Sequence, residues 1–522
     1  MKKIVTSVFL CVCVAASVGA QTVYDAARIT NKDLNGTARF VGMGGAMGAL
    51  GGDISTIGTN PAGIGIYRSN DVMVSFGYST MGTDSKYGTN KISMNKDYWT
   101  FDNVGFVFST KIGNHTPLRY VNFGFNYQRA KNFDRNMSMA GLLNTGPNGA
   151  IISQTNQMAA QANGLSNSYL SDPNNNLFRD NEVGWLTALG WNGWLIDETD
   201  TDGEYLGYTR GEIPYANFTS RETGGIDQYD FNVSLNLNDR VYLGVTIGAY
   251  DVDYNKYTFY DEDFDEGEGY GLHSYNKISG AGFDFKLGAI FRPFETSPLR
   301  IGVAVHTPTF YNLTQYNSVE LHSEVYVPDK DKIDYIIVDS YDYLNNRDNA
   351  REFRLHTPWK YNFSLGYVVG NNLALGAEYE FQDYSTIKFR DPDYGSSWFE
   401  YENSTTSMLK GVSTLRLGAE YKVIPEFAIR AGYNYSSAIF KSDAYKALPI
   451  NSVNTDTDFS NSKSINNFTV GIGYRGSSIY ADLAYQYTGY KEDFYAFDEL
   501  YLNKTDVKNS KSQVLLTLGM RF

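Results

Sequence analysis

Ser512 to Phe522 reads S-Q-V-L-L-T-L-G-M-R-F, in which Val514, Leu516, Leu518, Met520 and Phe522 alternate with Gln513, Leu515, Thr517, Gly519 and Arg521. Successive side chains of an extended chain point to opposite faces, so this stretch predicts a strand with one continuous apolar face. Such a strand, closing the chain on an aromatic residue, predicts the last wall segment of an outer-membrane β-barrel, whose lipid and lumen faces alternate with period two.

The pattern recurs along the chain. Val72, Val74, Phe76 and Tyr78 alternate with Met73, Ser75 and Gly77, while Val121, Phe123, Phe125 and Tyr127 alternate with Asn122, Gly124, Asn126 and Gln128. Similar segments begin at Val104, Tyr229, Val241, Phe283, Leu299, Tyr361, Leu373, Leu415, Phe427, Phe468 and Ile479. Together they predict an all-β transmembrane antiparallel barrel of about fourteen strands, an even number as single-chain bacterial barrels require. Short turns at Asn238-Asp239, Gly370-Asn371, Pro425-Glu426 and Gly476-Ser477 alternate with long connections at 80–100, 130–225, 252–278, 307–357, 384–410, 437–464 and 489–511. Barrels with both termini in the periplasm sort their connections in this way, with the long ones outside; a soluble sandwich has no reason to.

The N-terminus predicts export. Lys2 and Lys3 precede an apolar stretch from Ile4 to Ala16, and Val18-Gly19-Ala20 supplies small residues before a cleavage site ahead of Gln21. Residues 1–20 are therefore read as a signal peptide, 21–70 as an N-terminal hatch and 71–522 as the barrel with its extracellular loops. Cys11 and Cys13 are the only cysteines and fall in the leader, which excludes a disulfide framework or thiol chemistry in the mature chain. After the leader no apolar run is long enough for a spanning helix. A net charge of −14 disfavours nucleic acid as a partner. The 42 tyrosines suit aromatic girdles at the two membrane interfaces.

Residues 21–70 lack the alternation. They hold V-G-M-G-G-A-M-G-A-L-G-G-D from Val41 to Asp53, then Asn60-Pro61-Ala62-Gly63. Met47 stands where a dinucleotide loop needs its third glycine, so small residues at this density are read as close backbone packing of a plug in the lumen. With A-R-F-V-G-M-G-G-A (Ala38 to Ala46), Asp53 and N-P-A (Asn60 to Ala62) ahead of the first strand, the chain resembles FadL/TodX-type outer-membrane transporters. The resemblance implies a fourteen-stranded barrel closed by a hatch, and passive, ligand-gated uptake of hydrophobic small molecules such as long-chain fatty acids. It further implies hatch rearrangement and lateral release through a kinked wall strand. Asn60, Pro61 and Ala62 map onto the hatch motif as gating residues, and as plain residues they make a turn ending the plug.

Strand parity turns Asp284, Lys286, Glu378, Glu380, Arg416, Glu420, Lys422, Arg430, Asp482 and Gln486 toward the lumen. A salt-bridge network filling a polar interior accounts for them, and the sharper reading has Arg416 or Arg430 holding a ligand carboxylate by paired hydrogen bonds. Trp185, Leu189 and Trp194 lie in a segment too apolar for a solvated loop, read as a cap over the lumen or a first contact for a greasy ligand. His306-Thr307-Pro308 and His356-Thr357-Pro358 flank one long connection. With both imidazoles inward, His306 and His356 would ligate haem iron or a metal; otherwise they bond to backbone at strand ends. The acidic run from Asp261 to Glu268 reads as a solvated loop able to meet lipopolysaccharide through divalent cations. No nucleophile elbow, zinc-protease helix or phosphate loop occurs, so the chain is read as a non-enzyme without cofactor, monomeric in the outer membrane. Two alternatives remain beside uptake: a barrel that binds or shuttles exported proteins, and a haem receptor.

Overall fold

A computed structural model describes residues 21–327, 331–392, 399–446, 448–456 and 458–522; the leader expected at 1–20 lies outside the described residues. The wall is a closed antiparallel barrel of fourteen strands. In order they are Asp71–Tyr87, Asn90–Lys111, Leu118–Asn132 continued by Arg135–Leu142, Tyr215–Leu237, Val241–Asp265, Glu268–Phe291, and Arg300–His306 continued by Phe310–Val327. The eighth runs through Lys332–Asp339, Asn349–His356 and Lys360–Val369, and Leu373–Asp383, Gly411–Ile424, Phe427–Ser436, Phe459–Arg475, Ile479–Tyr495 and Thr505–Arg521 complete the circuit. Closure pairs the first strand with the last in unbroken register from Asp71↔Arg521 to Lys86↔Asp506. Asn70 and Phe522 exchange two backbone hydrogen bonds at the seam, so the terminal residue caps the ladder.

Burial follows the alternation. Val514, Leu516, Leu518 and Met520 face outward, while Gln513, Leu515 and Thr517 are buried inside. The outward set continues around the barrel through Phe76, Phe106, Phe123, Phe231, Ile247, Leu287, Phe363, Ile429 and Ile472 as an apolar band for lipid. Tight turns close the side that carries Phe522; between the paired Leu237 and Val241, Asn238 and Asp239 both take positive φ in a turn closed by Arg240 N on Leu237 O at 3.0 Å, a sense that matches the right-handed twist of the strands.

The opposite end departs from the expected loops. The connections at 80–100 and 252–278 are strand extensions that turn only at Gly88-Thr89 and Glu266-Gly267, with ladders running to Tyr87↔Asn90 and Asp265↔Glu268. Beyond the lipid both faces of a strand can be polar, so the apolar period that marks a wall strand vanishes while the ladder continues. The acidic run accordingly lies on a hairpin, not in a solvated loop: Glu262 and Glu268 are buried, and Asp263, Asp265 and Glu266 stay exposed. Residues 143–214 fold over the mouth with helices Gln154–Ala162, Asn167–Leu170 and Trp185–Asn192, and with the hairpin Ile196–Glu198/Tyr205–Gly207. This cap shares one large apolar core with the strand extensions.

Glu262 joins cap to wall. Its carboxylate accepts from Gln154 N at 2.8 Å, from Tyr260 Oη at 2.7 Å and from Ser153 Oγ. Burial outweighs these donors and pushes the carboxyl from 4.5 up to about 7. A carboxyl whose folded value is raised stabilises fully below its unfolded value, and that contribution is lost as pH rises through the folded one. Protection factors at 153–158, that is the base-catalysed intrinsic rate divided by the observed exchange rate at each pH, are therefore expected to fall from pH 4.5 to pH 7, and this fall to flatten in Glu262→Gln; pH-independent protection in the wild type would refute this.

Candidate functional site

The lumen is filled from within by residues 22–70. Helix α1 (Val23–Thr30) starts on a capping box in which Thr22 and Asp25 bond reciprocally, and its apolar side, with Val23, Tyr24, Ala26 and Ile29, enters the cap core. Tyr24 stacks on Phe440 at 5.3 Å and meets Phe459 edge-on at 5.6 Å. The described hatch thus begins high in the lumen beneath the cap and descends to Asn70, beside Phe522. Burial of the apolar side of α1 is the physical reason.

Below α1 the chain is pinned by turns. Thr37 caps α2 (Ala38–Gly42) and donates to both oxygens of Asp53 at 2.8 and 2.9 Å, and Asp53 caps the next turn through Ser55 N at 3.0 Å. Asn60 caps Pro61–Ile66 through Ala62 N at 3.2 Å and reaches Ala289 O in the wall at 3.3 Å. Pro61 O accepts from Ser234 Oγ at 2.9 Å and from Asn232 Nδ2 at 3.4 Å, and Ala62 is fully buried. The structure therefore seats Asn60, Pro61 and Ala62 against the inner wall.

That seat depends on glycine in the wall. A Cβ on Gly244 would stand 2.4 Å from Pro61 C, and one on Gly432 would stand 2.1 Å from Gly44 N. Paired wall glycines recur at Gly244↔Gly288, Gly366↔Gly376 and Gly418↔Gly432, each under hatch backbone. The lumen-facing glycines are the surface on which the hatch rests.

Charge completes the closure. Arg39 clasps Glu420 with two hydrogen bonds of 2.9 and 3.0 Å; Glu420 also accepts from Arg430 at 2.7 Å, and Arg430 reaches Asp482 at 2.7 Å. Arg475 binds the other oxygen of Asp482 at 2.7 Å. Arg39 was not singled out in the sequence, because it lies in the hatch where no strand parity points to it. Arg416 bonds Glu378 at 2.5 Å and Glu380 at 3.0 Å, and Glu378 holds Gly48 N at 3.0 Å. Lys286 sits between Asp230 at 2.6 Å and Asp284 at 2.9 Å. Both candidate arginines thus carry two carboxylates each; Lys422, by contrast, is exposed at the turn end.

A chamber of about 270 Å³ lies between hatch and cap. Lys32, Asp284, His306, Lys360, Glu380 and Arg416 line it together with Tyr24, Phe133 and Phe440, whereas Arg430 lies outside its lining. Among the described residues Lys32 makes no hydrogen bond or ion pair; its Nζ stands 3.9 Å from the Tyr250 ring centre.

The two His-Thr-Pro stretches adjoin the chamber. Each interrupts its strand, between His306 and Phe310 and between His356 and Lys360, and they knit together through Thr309 N to Thr357 Oγ1 at 2.8 Å and Thr357 N to Thr309 O at 3.1 Å. The inward expectation for both imidazoles needs correction. His306 faces in and bonds Thr59 O at 2.9 Å, but His356 packs edge-on against Phe310, whose ring adjoins the outward Phe283. The residues inserted around Pro358 shift parity, so that Phe353 and Leu355 are inward on one side and Asn362 and Ser364 on the other. The structure does not bring His306 and His356 together, and among the described residues no cluster of three metal-ligating side chains occurs.

A family model for BamG matches residues 212–474, half of the chain. The chain belongs to the BamG family. Comparison with curated proteins finds no matching sequence. Among solved structures, this BamG-family chain is similar to the toluene transporter TodX of Pseudomonas putida, at 10% identity over 94% of this chain and 100% of that one, TM-score 0.48. A FadL homologue of Pseudomonas aeruginosa aligns at 12% identity over 97% and 99%, TM-score 0.48, and the toluene transporter TbuX of Ralstonia pickettii at 13% over 94% and 99%, TM-score 0.46. Likeness at this level transfers no ligand to the BamG-family barrel. In the cap of this barrel, Trp185 and Leu189 are core residues, with Trp185 Nε1 donating to Phe178 O at 3.1 Å, while Trp194 is exposed.

Proposed function

We propose that this BamG-family chain is a gated outer-membrane transporter for an amphiphilic small molecule of the hydrophobic class, long-chain fatty acids being the reference ligand. The observation that carries the reading is the chamber, lined by rings and cations, between a cap and a hatch that rests on glycine. An apolar body with one polar end matches such a lining. In this reading Trp194 offers the first contact, while Trp185 and Leu189 hold the cap. Asn60, Pro61 and Ala62 move with the hatch, and the paired interruptions at His306–Phe310 and His356–Lys360 are the place of lateral release. Of the two arginines, Arg416 is the one placed to meet a carboxylate, by exchanging Glu380 for the ligand; Arg430 ties wall to hatch through Glu420. Separation of His306 and His356 onto opposite faces leaves the haem reading without a ligand pair.

Native mass spectrometry of the gently purified barrel tests this. A retained amphiphile is expected, with labelled-oleate uptake falling in cells carrying Arg416→Ala in a barrel of unchanged heat-modifiable mobility. No retained amphiphile and unchanged uptake would overturn it. A second reading, a barrel that binds an exported or neighbouring protein, is favoured by the lumen being shut by both hatch and cap.

A further inference from the structure

The outer wall carries a second aromatic surface above its lipid-facing rows. On Val241–Asp265 the outward residues run Val241, Leu243, Val245 and Ile247, then Asp251, Asp253 and Asn255, and only then Tyr257 and Phe259. The next strand repeats the order, with Phe285 and Phe283 giving way to Lys277 and then to Tyr275 and His273. A charged row of this kind belongs outside the hydrocarbon, so the rings beyond it stand clear of the membrane. They form one connected set: Tyr257 to Tyr275 at 5.0 Å, Phe259 to His273 at 4.6 Å, His273 to His322 at 5.4 Å and His322 to Tyr335 at 5.8 Å. Tyr335 Oη and His322 Nδ1 share a hydrogen bond of 2.6 Å, which fixes the last ring.

This surface ends at the strand Lys332–Asp339. One edge pairs with Glu320–Val327, and among the described residues no strand pairs with the other. Its outward side chains Ile333, Tyr335 and Ile337 are 41%, 56% and 54% exposed. An unpaired edge presents alternating N–H and C=O groups that another extended backbone matches, and exposed edges are ordinarily blunted or covered. The stretch from 320 to 348 is acidic in sequence: Glu320, Glu324, Asp329, Asp331, Asp334, Asp339, Asp342 and Asp348 stand against Lys330, Lys332 and Arg347. We propose that this edge is a docking site for a second protein, which adds an extended segment with basic flanks to Lys332–Asp339 and covers Ile333, Tyr335 and Ile337. The free edge selects a strand, the acidic frame selects basic flanks, and the ring surface supplies apolar contact. The inference is independent of whether the chamber carries a ligand.

The test uses the full barrel in nanodiscs and a labelled peptide, K-K-V-T-V-T-V-T-K-K. Saturable binding is expected, with amide protection gained at 332–339. N-methylation of alternate peptide residues should weaken binding about 10-fold, the loss of one or two net hydrogen bonds. Ile333→Ser with Ile337→Ser, both pointing away from the core, should weaken it while leaving heat-modifiable mobility unchanged. Absence of binding, equal binding of the N-methylated peptide, or protection elsewhere would overturn the proposal. So would a Tyr335→Cys barrel that crosslinks to a second copy of itself, or quenching of a Tyr335→Trp barrel by brominated lipid, since copy or lipid would then occupy the surface.

Discussion

Replacing Gly432 with valine is expected to unseat the hatch and open the lumen. The first added carbon already falls 2.1 Å from Gly44 N, in a wall position where backbone lies on backbone and no flexible side chain can yield. Overpacking of this kind costs about 1–3 kcal/mol, which shifts a closed hatch toward displaced states by roughly 5-fold to 150-fold. The barrel itself should survive, because its ladder at Gly418↔Gly432 and Gly432↔Thr469 does not depend on the hatch. Conductance in planar bilayers measures the outcome, with Ala431→Val as the control on the same strand but facing lipid. A Gly432→Val barrel as tightly closed as wild type would show that the seat is not what holds the hatch.

The second large effect concerns Lys286→Met. Its ammonium is buried between Asp230 and Asp284, both also buried, and methionine fills the space without the charge. Two carboxylates would then face each other with Lys32 in the chamber lining as the remaining cation near Asp284, since Tyr250 Oη donates to Asp284 at 2.8 Å but brings no charge. Breaking a buried pair by removing one partner costs about 3–5 kcal/mol, a large share of what holds a domain folded. The urea midpoint of the detergent-solubilised barrel should fall accordingly, and adding Asp230→Asn should recover part of the loss by removing the repulsion. An unchanged midpoint in the single variant would mean that water reaches the site and screens it.

The barrel was legible because lipid imposes one rule on every wall strand. An outward residue must be apolar, so the strands of Val72 and Val241 declare themselves by period two. The lumen side obeyed no comparable rule. Glycine on the inner face carries no side chain from which a role can be read, and only the hatch lying 2.1–2.4 Å from the missing Cβ atoms gives those positions their meaning. Arg416 and Arg430 were correctly turned inward, yet parity carries no information on which carboxylates would meet them or that the chamber touches one and not the other. The strand extensions were missed for the reason that made the wall visible: outside the lipid, Asp251, Asp253 and Asn255 replace the apolar row and the signal stops. Parity also failed at His356, where the interruption at Pro358 moves the register by a residue that counting cannot detect.

By itself, then, the stretch ending in Phe522 and its repeats along the chain determined a closed antiparallel barrel with a lipid face, because contact with hydrocarbon constrains each strand separately and locally. The tertiary structure alone decided how the hatch sits in the lumen, where the chamber lies and which strand edge has no partner strand among the described residues. Those properties depend on residues hundreds of positions apart, such as Gly44 against Gly432 or Arg39 on Glu420, whose meeting is set by closure of the whole barrel and not by any local pattern.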